Sequence, residues 1–164
     1  MPERGSPRRR ALEERRSIGM DVDNPVVVAE VTAAFEEYER ALRRNDRNRV
    51  VAAFWASPDV VRFGTAEAHR GIVSVSEWRL TQPPLPPGRQ LRQTKVSTFG
   101  HGFAVVTTLF SYPGREMTGR QSQTWVRLDE GWRVVSAHVS EVVAEHGDFT
   151  SRNRCAAVPE PSDR

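Results

Sequence analysis

The sequence predicts an α+β fold in which N-terminal helices pack on a curved antiparallel sheet. Three observations support this class: an apolar stripe with helical spacing starts near residue 25, residues 89–141 alternate in polarity as β-strands do, and the helical segments precede the strands. A strongly curved sheet that closes over a long helix encloses a cone-shaped cavity, so we expect a cavity of this kind. The length of 164 residues fits one domain with a single core.

The chain divides into a domain and two polar tails. We expect a disordered basic tail over residues 1–22, the cone domain over residues 23–146, and a flexible tail over residues 147–164. Met20 is an alternative start of the chain. Residues 1–19 contain six arginines and three glutamates, so the net charge of +3 lies in this tail and the remainder is neutral.

The distribution of charge and hydropathy argues against several partners. An arginine-rich tail can contact phosphates, but no folded basic patch with interleaved aromatic residues follows it, so we expect no nucleic-acid partner. No apolar run approaches the roughly 20 residues of a membrane span, and the tail lacks the apolar region of a secretory signal. We therefore expect a cytoplasmic protein without membrane contact. The four histidines and the single cysteine are scattered, so we expect no metal site.

The first helix is predicted to begin at Asn24-Pro25, an N-cap residue followed by proline at the first helical position. Its apolar stripe consists of Val28, Val31, Phe35, Tyr38 and Leu42. The phenol of Tyr38 therefore points inward, where it either packs in the core or serves a site. Asp46 is expected to cap a second, short helix through Trp55.

A short strand is predicted over residues 59–64, and Arg62 in it points either inward or outward. An exposed arginine is the usual case. If Arg62 lies inside, it needs an acid partner or an anionic ligand, because an unpaired buried charge is costly. Glu67, five residues further on, is the candidate partner.

Residues 71–80 predict a short helix whose Trp78 packs inward, with Arg79 nearby. The proline-rich residues 83–88 cannot form regular structure and predict a stiff loop. Two strands, about residues 89–98 and 103–112, are expected to follow this loop.

The stretch 119–140 predicts two long strands joined by the turn Asp129-Glu130-Gly131, with Gly131 at positive φ. Its first strand carries Gln121, Gln123 and Trp125 on one face, which suggests a strand that lines a wet pocket; a solvated face is the alternative. By alternation, one face of the second strand carries Trp132, Val134, Ser136, His138 and Ser140, and the other carries Arg133, Val135, Ala137, Val139 and Glu141. His138 is then either a structural histidine or a catalyst.

The chain lacks a Walker loop, a dinucleotide fingerprint, a zinc-protease motif and a serine elbow. The remaining candidates for a site are Tyr38, Arg62, Glu67, Arg79, Gln121, Gln123, Trp125 and His138. A guanidinium can hold a carboxylate in two parallel hydrogen bonds, and glutamine side chains can orient an amide. A phenol can donate a hydrogen bond, or act as acid or base if an arginine lowers its pKa. Together these residue types suit a small, planar, anionic, amide-like ligand.

Four stretches carry a resemblance to a known family: NPVVVAEVTAAFEEYERAL, FWASPDVVRFGTAE, STFGHGFAVVTTLF and GRQSQTWVRLDEGWRVVSAHVS. They resemble the AtzH-like branch of the SnoaL-like, nuclear-transport-factor-2-like (NTF2-like) superfamily, which also contains proteins named for oxalurate catabolism. The resemblance covers about residues 24–141 and implies the cone fold. Residues 65–90 depart most from the family pattern, so the resemblance does not determine which substrate is bound.

The resemblance also implies a function. It implies a small amidohydrolase that acts on 1,3-dicarboxyurea, oxalurate or a related anionic amide in a cofactor-independent step, with Tyr38 and Arg62 as catalytic residues. From their residue types, the other six candidates are expected to bind substrate. It further implies a homodimer formed through the outer face of the sheet, where Val135, Ala137 and Val139 are expected to need cover. The alternative is a non-catalytic dimeric module that binds a small acid or supports a partner amidase.

Overall fold

A computed structural model describes residues 19–143 of the chain; the predictions for residues 1–18 and 144–164 lie outside this range. The three helices are α1 (Pro25–Arg43), α2 (Arg47–Ala52) and α3 (Ile72–Thr81). The six strands are β1 (Val61–Phe63), β2 (Ala68–Arg70), β3 (Gln90–Phe99), β4 (Phe103–Ser111), β5 (Met117–Leu128) and β6 (Gly131–Val143). None of the helices in residues 19–143 is long and apolar enough to cross a membrane.

Helix α1 begins where the sequence predicts. The Asn24 side chain accepts hydrogen bonds from the backbone N–H groups of Val26 and Val27, and Pro25 occupies the first turn. The buried stripe runs through Val27, Val31, Phe35, Tyr38 and Leu42, with Glu39 and Ala41 also buried. Its first member is Val27 and not the predicted Val28, which is half-buried. The stripe lies against β4, β5 and β6, and this contact forms the main core of the protein.

Helix α2 is capped by Asp46, which accepts from the N–H of Arg49, as predicted. It ends at Ala52 instead of Trp55 because the next residues pair with β6. The N–H of Trp55 donates to the carbonyl of Val134 at 3.0 Å, and the N–H of Val134 donates to the carbonyl of Ala53 at 2.9 Å. The sheet therefore takes over the backbone groups that a longer helix would use.

The six strands form one sheet in the order β2-β1-β6-β5-β4-β3. The α+β prediction is confirmed, but the sheet is mixed and not purely antiparallel, since β1 runs parallel to β6. Strand β2, which the sequence analysis did not identify, pairs with β1 as the edge of the sheet. Val22, at the end of the predicted tail, forms a bridge with Phe99 and so extends the ordered domain towards the N-terminus.

Two irregularities bend the sheet over α1. In β3 the register shifts between Arg92 and Lys95, where Gln93 has a φ of 53°. In the β5–β6 hairpin, Thr124 pairs with Ser136 and Trp125 pairs with Val134. Val135 is thus an extra residue in β6, a β-bulge that increases the local twist.

The bulge at Val135 makes the predicted alternation of β6 wrong beyond its first residues. Trp132 and Val134 face the core, but after the bulge Ala137 and Val139 face inward and His138 faces outward. The turn is also shorter than predicted: Leu128 pairs with Gly131, leaving Asp129-Glu130 as a two-residue connection. Gly131 does adopt a positive φ, of 101°.

Candidate functional site

A cavity of about 290 Å³ lies at the open end of the cone. We call it the cone cavity; the three helices, the hairpin β1–β2, the proline-rich loop and the inner face of β4–β6 enclose it. Its charged and hydroxyl-bearing lining residues are Tyr38, Arg62, Thr65, Glu67, Arg79, Arg89, Tyr112 and Glu141. This volume lies near the lower end of the roughly 300–1,000 Å³ that is typical of small-molecule sites, so it fits a ligand smaller than a drug.

Tyr38 reaches the cavity from α1. Its ring packs edge-to-face on Phe54 and Trp125, with centroids 6.2 and 6.4 Å away, which fixes the orientation of the phenol. No residue of 19–143 hydrogen-bonds its hydroxyl, which leaves the group available to a ligand. Burial, supported by the negative charge of Glu39, raises the pKa of Tyr38 in spite of Arg79 and Arg62 nearby. The phenol therefore stays protonated and can donate its proton. The alternative raised from the sequence, that an arginine lowers the pKa of this phenol, does not apply.

Arg62 points inward and pairs with Glu67, as the spacing of five residues predicts. Its Nη1 donates to Oε1 of Glu67 at 2.8 Å, and its guanidinium lies 3.7 Å from the centre of the Trp78 ring. The hairpin between β1 and β2 holds the acid in place, because Gly64 leaves the room that the Glu67 carboxylate occupies. Although burial acts in the other direction, the hydrogen bond from Arg62 lowers the pKa of Glu67, so the pair is ionised at neutral pH.

Arg79 is the exceptional residue of the cavity. It lies on the inner face of α3, four residues after the buried Val75, and only 7% of it is exposed. Its Nε is buried without a hydrogen-bond partner, and no acid within residues 19–143 forms a salt bridge with it. Burial lowers the pKa of Arg79, and the neighbouring cations Arg62 and Arg47 lower it further, while Tyr38 acts in the opposite direction. A buried guanidinium without a counter-charge is costly unless an anion completes it.

A buried network forms the wall of the cavity beside Tyr38. Arg89 donates to both carboxylate oxygens of Glu39, at 3.0 and 3.3 Å, and to Oε1 of Gln121 at 2.9 Å. Its Nη1 also donates to the hydroxyl of Tyr112 at 3.4 Å, and its guanidinium stacks on Phe110 at 3.9 Å. Burial by itself lowers the pKa of Arg89, but the hydrogen bonds to Glu39 and the negative charge of Glu39 outweigh it, so the pKa is raised. This ion pair anchors the end of the proline-rich loop to α1.

Three residues of this network, Glu39, Arg89 and Tyr112, were not predicted from the sequence. The inward position of Glu39 could have been predicted, because Glu39 follows Phe35 by four residues and therefore lies on the buried face of α1. Arg89 directly follows the proline-rich loop, and no periodicity indicates which way its side chain points.

Five of the eight predicted site residues line the cavity: Tyr38, Arg62, Glu67, Arg79 and Gln121. Gln121, however, uses its amide within the network, since its Nε2 donates to Glu39 at 3.0 Å while its Oε1 accepts from Arg89. Its expected role of orienting a substrate amide is therefore not available without a rearrangement.

The other three candidates lie outside the cavity lining. Gln123 and Trp125 are buried beneath it, where the indole Nε1 donates to Oε1 of Gln123 at 3.3 Å. His138 is exposed on the outer face of the sheet and packs edge-to-face on Phe63 with centroids 6.0 Å apart. The bulge at Val135 reverses the face on which His138 lies, which corrects its assignment to the site.

The fold and cavity define the class of protein: a small cone of helices and curved sheet of the NTF2-like or cystatin-like fold, with a polar cavity at its open end. The AtzH-like family model matches residues 20–145, and the chain belongs to this family. A search of curated proteins gave no match.

Solved structures support this placement. A cystatin-like fold protein from Burkholderia xenovorans is 45% identical, with a TM-score of 0.75 over 77% of this chain and 99% of that one. A protein of unknown function from the DUF3225 family of Pectobacterium atrosepticum is 44% identical, with a TM-score of 0.72 over 74% of this chain and 95% of that one. An NTF2-like protein of unknown function from Pseudomonas putida shares the fold at 18% identity, with a TM-score of 0.59 over 71% of this chain and 87% of that one.

Proposed function

We propose that the protein is a small amidohydrolase-like enzyme acting on a carboxylated urea or a related small anionic amide in the cone cavity. One observation carries the proposal: the guanidinium of Arg79 is buried, has no acid partner among the described residues, and lines the same cavity as the Tyr38 phenol. A carboxylate bound to Arg79 would supply the missing counter-charge and accept strong charge-assisted hydrogen bonds.

In this proposal Arg79 is the main carboxylate receptor, and Arg62 assists with the guanidinium nitrogens that Glu67 does not use. The carboxylate that these arginines hold is one that stays on the substrate, because binding a departing carboxylate in its charged form would oppose its loss as CO₂. The hydroxyl of Tyr112, which accepts from Arg89, keeps its proton available for a ligand carbonyl.

Tyr38 would provide the proton for the leaving nitrogen. When the C–N bond of the substrate breaks, its electron pair goes to nitrogen, which takes the phenolic proton, and water then returns a proton to the phenolate. In an N-carboxylated urea the carbon leaves as CO₂; in an amide, a water molecule adds its oxygen to the carbonyl carbon. The raised pKa of Tyr38 means that the phenol carries its proton at neutral pH, so the proton is present when the leaving nitrogen becomes basic enough to take it.

Turnover assays on the purified full chain test the proposal with oxalurate and 1,3-dicarboxyurea as substrates. Tyr38→Phe should reduce turnover by about 10²-fold or more while substrate binding changes little, because only the proton is lost. Arg62→Ala should weaken binding as well as turnover. Equal turnover by the wild type and both variants, or no turnover by any of them, would contradict the enzymatic proposal.

A second candidate is a non-catalytic dimeric module that binds a small acid or supports a partner amidase. The engagement of two acids favours it: Glu67 in the cavity lining pairs with Arg62, and Glu39 in the buried network pairs with Arg89, so neither is a ready base for activating water. Glu141 is the other acid of the lining. Ligand binding without turnover, together with co-purification of an amidase from the native host, would support this candidate. Enzyme-like turnover by the isolated protein would exclude it. In both candidates we propose a cytoplasmic protein.

A further inference from the structure

The charges around the cone cavity point to the substrate class more closely than its shape does. Three guanidiniums line it, those of Arg62, Arg79 and Arg89. Each of them could receive a carboxylate in principle, so the number that are already occupied decides how many anionic groups a ligand can carry.

Arg89 is occupied. Its Nε and Nη2 donate to Glu39, Nη2 also donates to Gln121, and Nη1 donates to Tyr112. Because the side chains of Arg89 and Glu39 are 3% and 1% exposed, this pair cannot exchange partners without a large loss of hydrogen bonds. It contributes no free positive charge to the cavity.

Arg62 is also compensated. Glu67 accepts its hydrogen bond at 2.8 Å, and the second oxygen of Glu67 accepts from the N–H of Ala66 at 3.2 Å, which holds the carboxylate beside the cavity. Trp78 fixes the guanidinium from its face. A second ligand carboxylate that approached Arg62 would therefore meet the negative charge of Glu67, and Glu141, which also lines the cavity, adds to this repulsion.

Of the three cavity guanidiniums, that of Arg79 is the one that no acid of residues 19–143 compensates. We infer that the cone cavity is selective for a monocarboxylate with an uncharged amide or ureide end over a dicarboxylate of the same shape. This inference rests on the proposed function and narrows it: an oxalurate-type ligand, with one carboxylate, fits the charges, whereas 1,3-dicarboxyurea, with two, does not.

Two pairs of stable ligands test the selectivity: oxamate against oxalate, and succinamate against succinate. Within each pair an amide replaces one carboxylate at almost the same shape. Isothermal titration calorimetry on the full chain should give a dissociation constant at least about tenfold lower for the monoanion of a pair than for its dianion.

Glu67→Gln gives a gain of binding that distinguishes this inference from a general loss of fold. It removes the charge that compensates Arg62, so the affinity for the dianion should rise at least about tenfold more than the affinity for the monoanion does. Glu37→Gln is the matched control, since it removes the same charge from an exposed pair with Arg49 outside the cavity, and it should change neither affinity.

Each outcome decides something. Binding of both members of a pair with equal affinity, tighter binding of the dianion, or a Glu67→Gln variant that behaves like Glu37→Gln would overturn the inference and leave the proposed function standing. If the wild type binds no ligand of either pair at millimolar concentration, the proposed function falls together with the inference.

Discussion

Two substitutions of the same chemical kind should change the stability of this protein in opposite directions. Arg79→Met removes a buried guanidinium that has no acid partner within residues 19–143, whereas Arg89→Met removes one that is paired with Glu39. Methionine keeps much of the side-chain volume in both cases and carries no charge. The comparison therefore isolates the effect of pairing from the effect of size.

The expected magnitudes follow from burial. With 7% of Arg79 exposed, replacing its charge by a thioether should stabilise the unliganded protein by about 1–3 kcal/mol. Arg89→Met leaves the Glu39 carboxylate buried without a cation and should destabilise the protein by about 3–5 kcal/mol. For a domain of about 125 residues, each kcal/mol corresponds to roughly 4 °C in Tm, so the two variants should differ by at least about 15 °C.

Thermal and urea unfolding of the wild type and both variants, without ligand at pH 7, measure these differences. Arg79→Met should also lose oxamate binding, since the cost of the buried charge is what a ligand anion relieves. If Arg79→Met destabilises the protein as much as Arg89→Met does, Arg79 has a partner in solution, and the reasoning that assigns it to a ligand is refuted.

Three further predictions concern other parts of the structure. The Arg62–Glu67 pair stabilises the fold only while Glu67 is ionised. The wild type should therefore be more stable than Glu67→Gln at pH 7, and this difference should begin to decline near the ordinary pKa of 4.5 and vanish as the pH falls through the lower pKa of the folded state. Thermal unfolding of both proteins from pH 7 to pH 3 measures the difference, and a constant difference would contradict the prediction. Gly119→Ala should destabilise the protein by about 1–3 kcal/mol in urea unfolding, because a Cβ there would overlap the Phe110 ring; an unchanged midpoint would mean that the ring moves freely. We propose a homodimer through the exposed outer face around Phe103, which is 41% exposed, so gel filtration at micromolar concentration should show a dimer for the wild type and a monomer for Phe103→Glu; a wild-type monomer contradicts this.

The sequence predicts the parts of the fold that depend on local pattern. The stripe of α1 follows from its 3.6-residue period, and its start follows from the capping chemistry of Asn24-Pro25. The Arg62–Glu67 pair was predicted only conditionally: a buried arginine needs an acid and Glu67 is five residues away, but the sequence left open whether Arg62 points inward. Local rules such as those for α1 leave few alternatives.

The parts that could not be predicted depend on single residues or on distant contacts. One extra residue at Val135 reverses the faces of β6, which moves His138 outward and brings Ala137 and Val139 inward, and nothing in the alternating sequence marks where the bulge falls. The expected apolar outer face of Val135, Ala137 and Val139 was therefore wrong. Exposed aromatic residues such as Phe63 and Phe103 occupy that face instead.

The network of Arg89 was hidden for a different reason. Its partners Glu39, Tyr112 and Gln121 lie 50, 23 and 32 residues away in the sequence. Only the folded chain brings them together, and a single sequence shows no sign of such pairing. The polar character of the cavity wall could be expected from the glutamines of β5, but the fact that the network consumes the Gln121 amide could not.

A crystal structure of the protein with bound oxamate tests the central claim most directly. We predict that the ligand carboxylate lies in the cone cavity within about 2.7–2.9 Å of the Arg79 guanidinium nitrogens, with the amide end towards the Tyr38 hydroxyl. A ligand bound elsewhere on the protein, or an Arg79 guanidinium that pairs with a protein carboxylate while the cavity stays empty at saturating oxamate, would contradict the account.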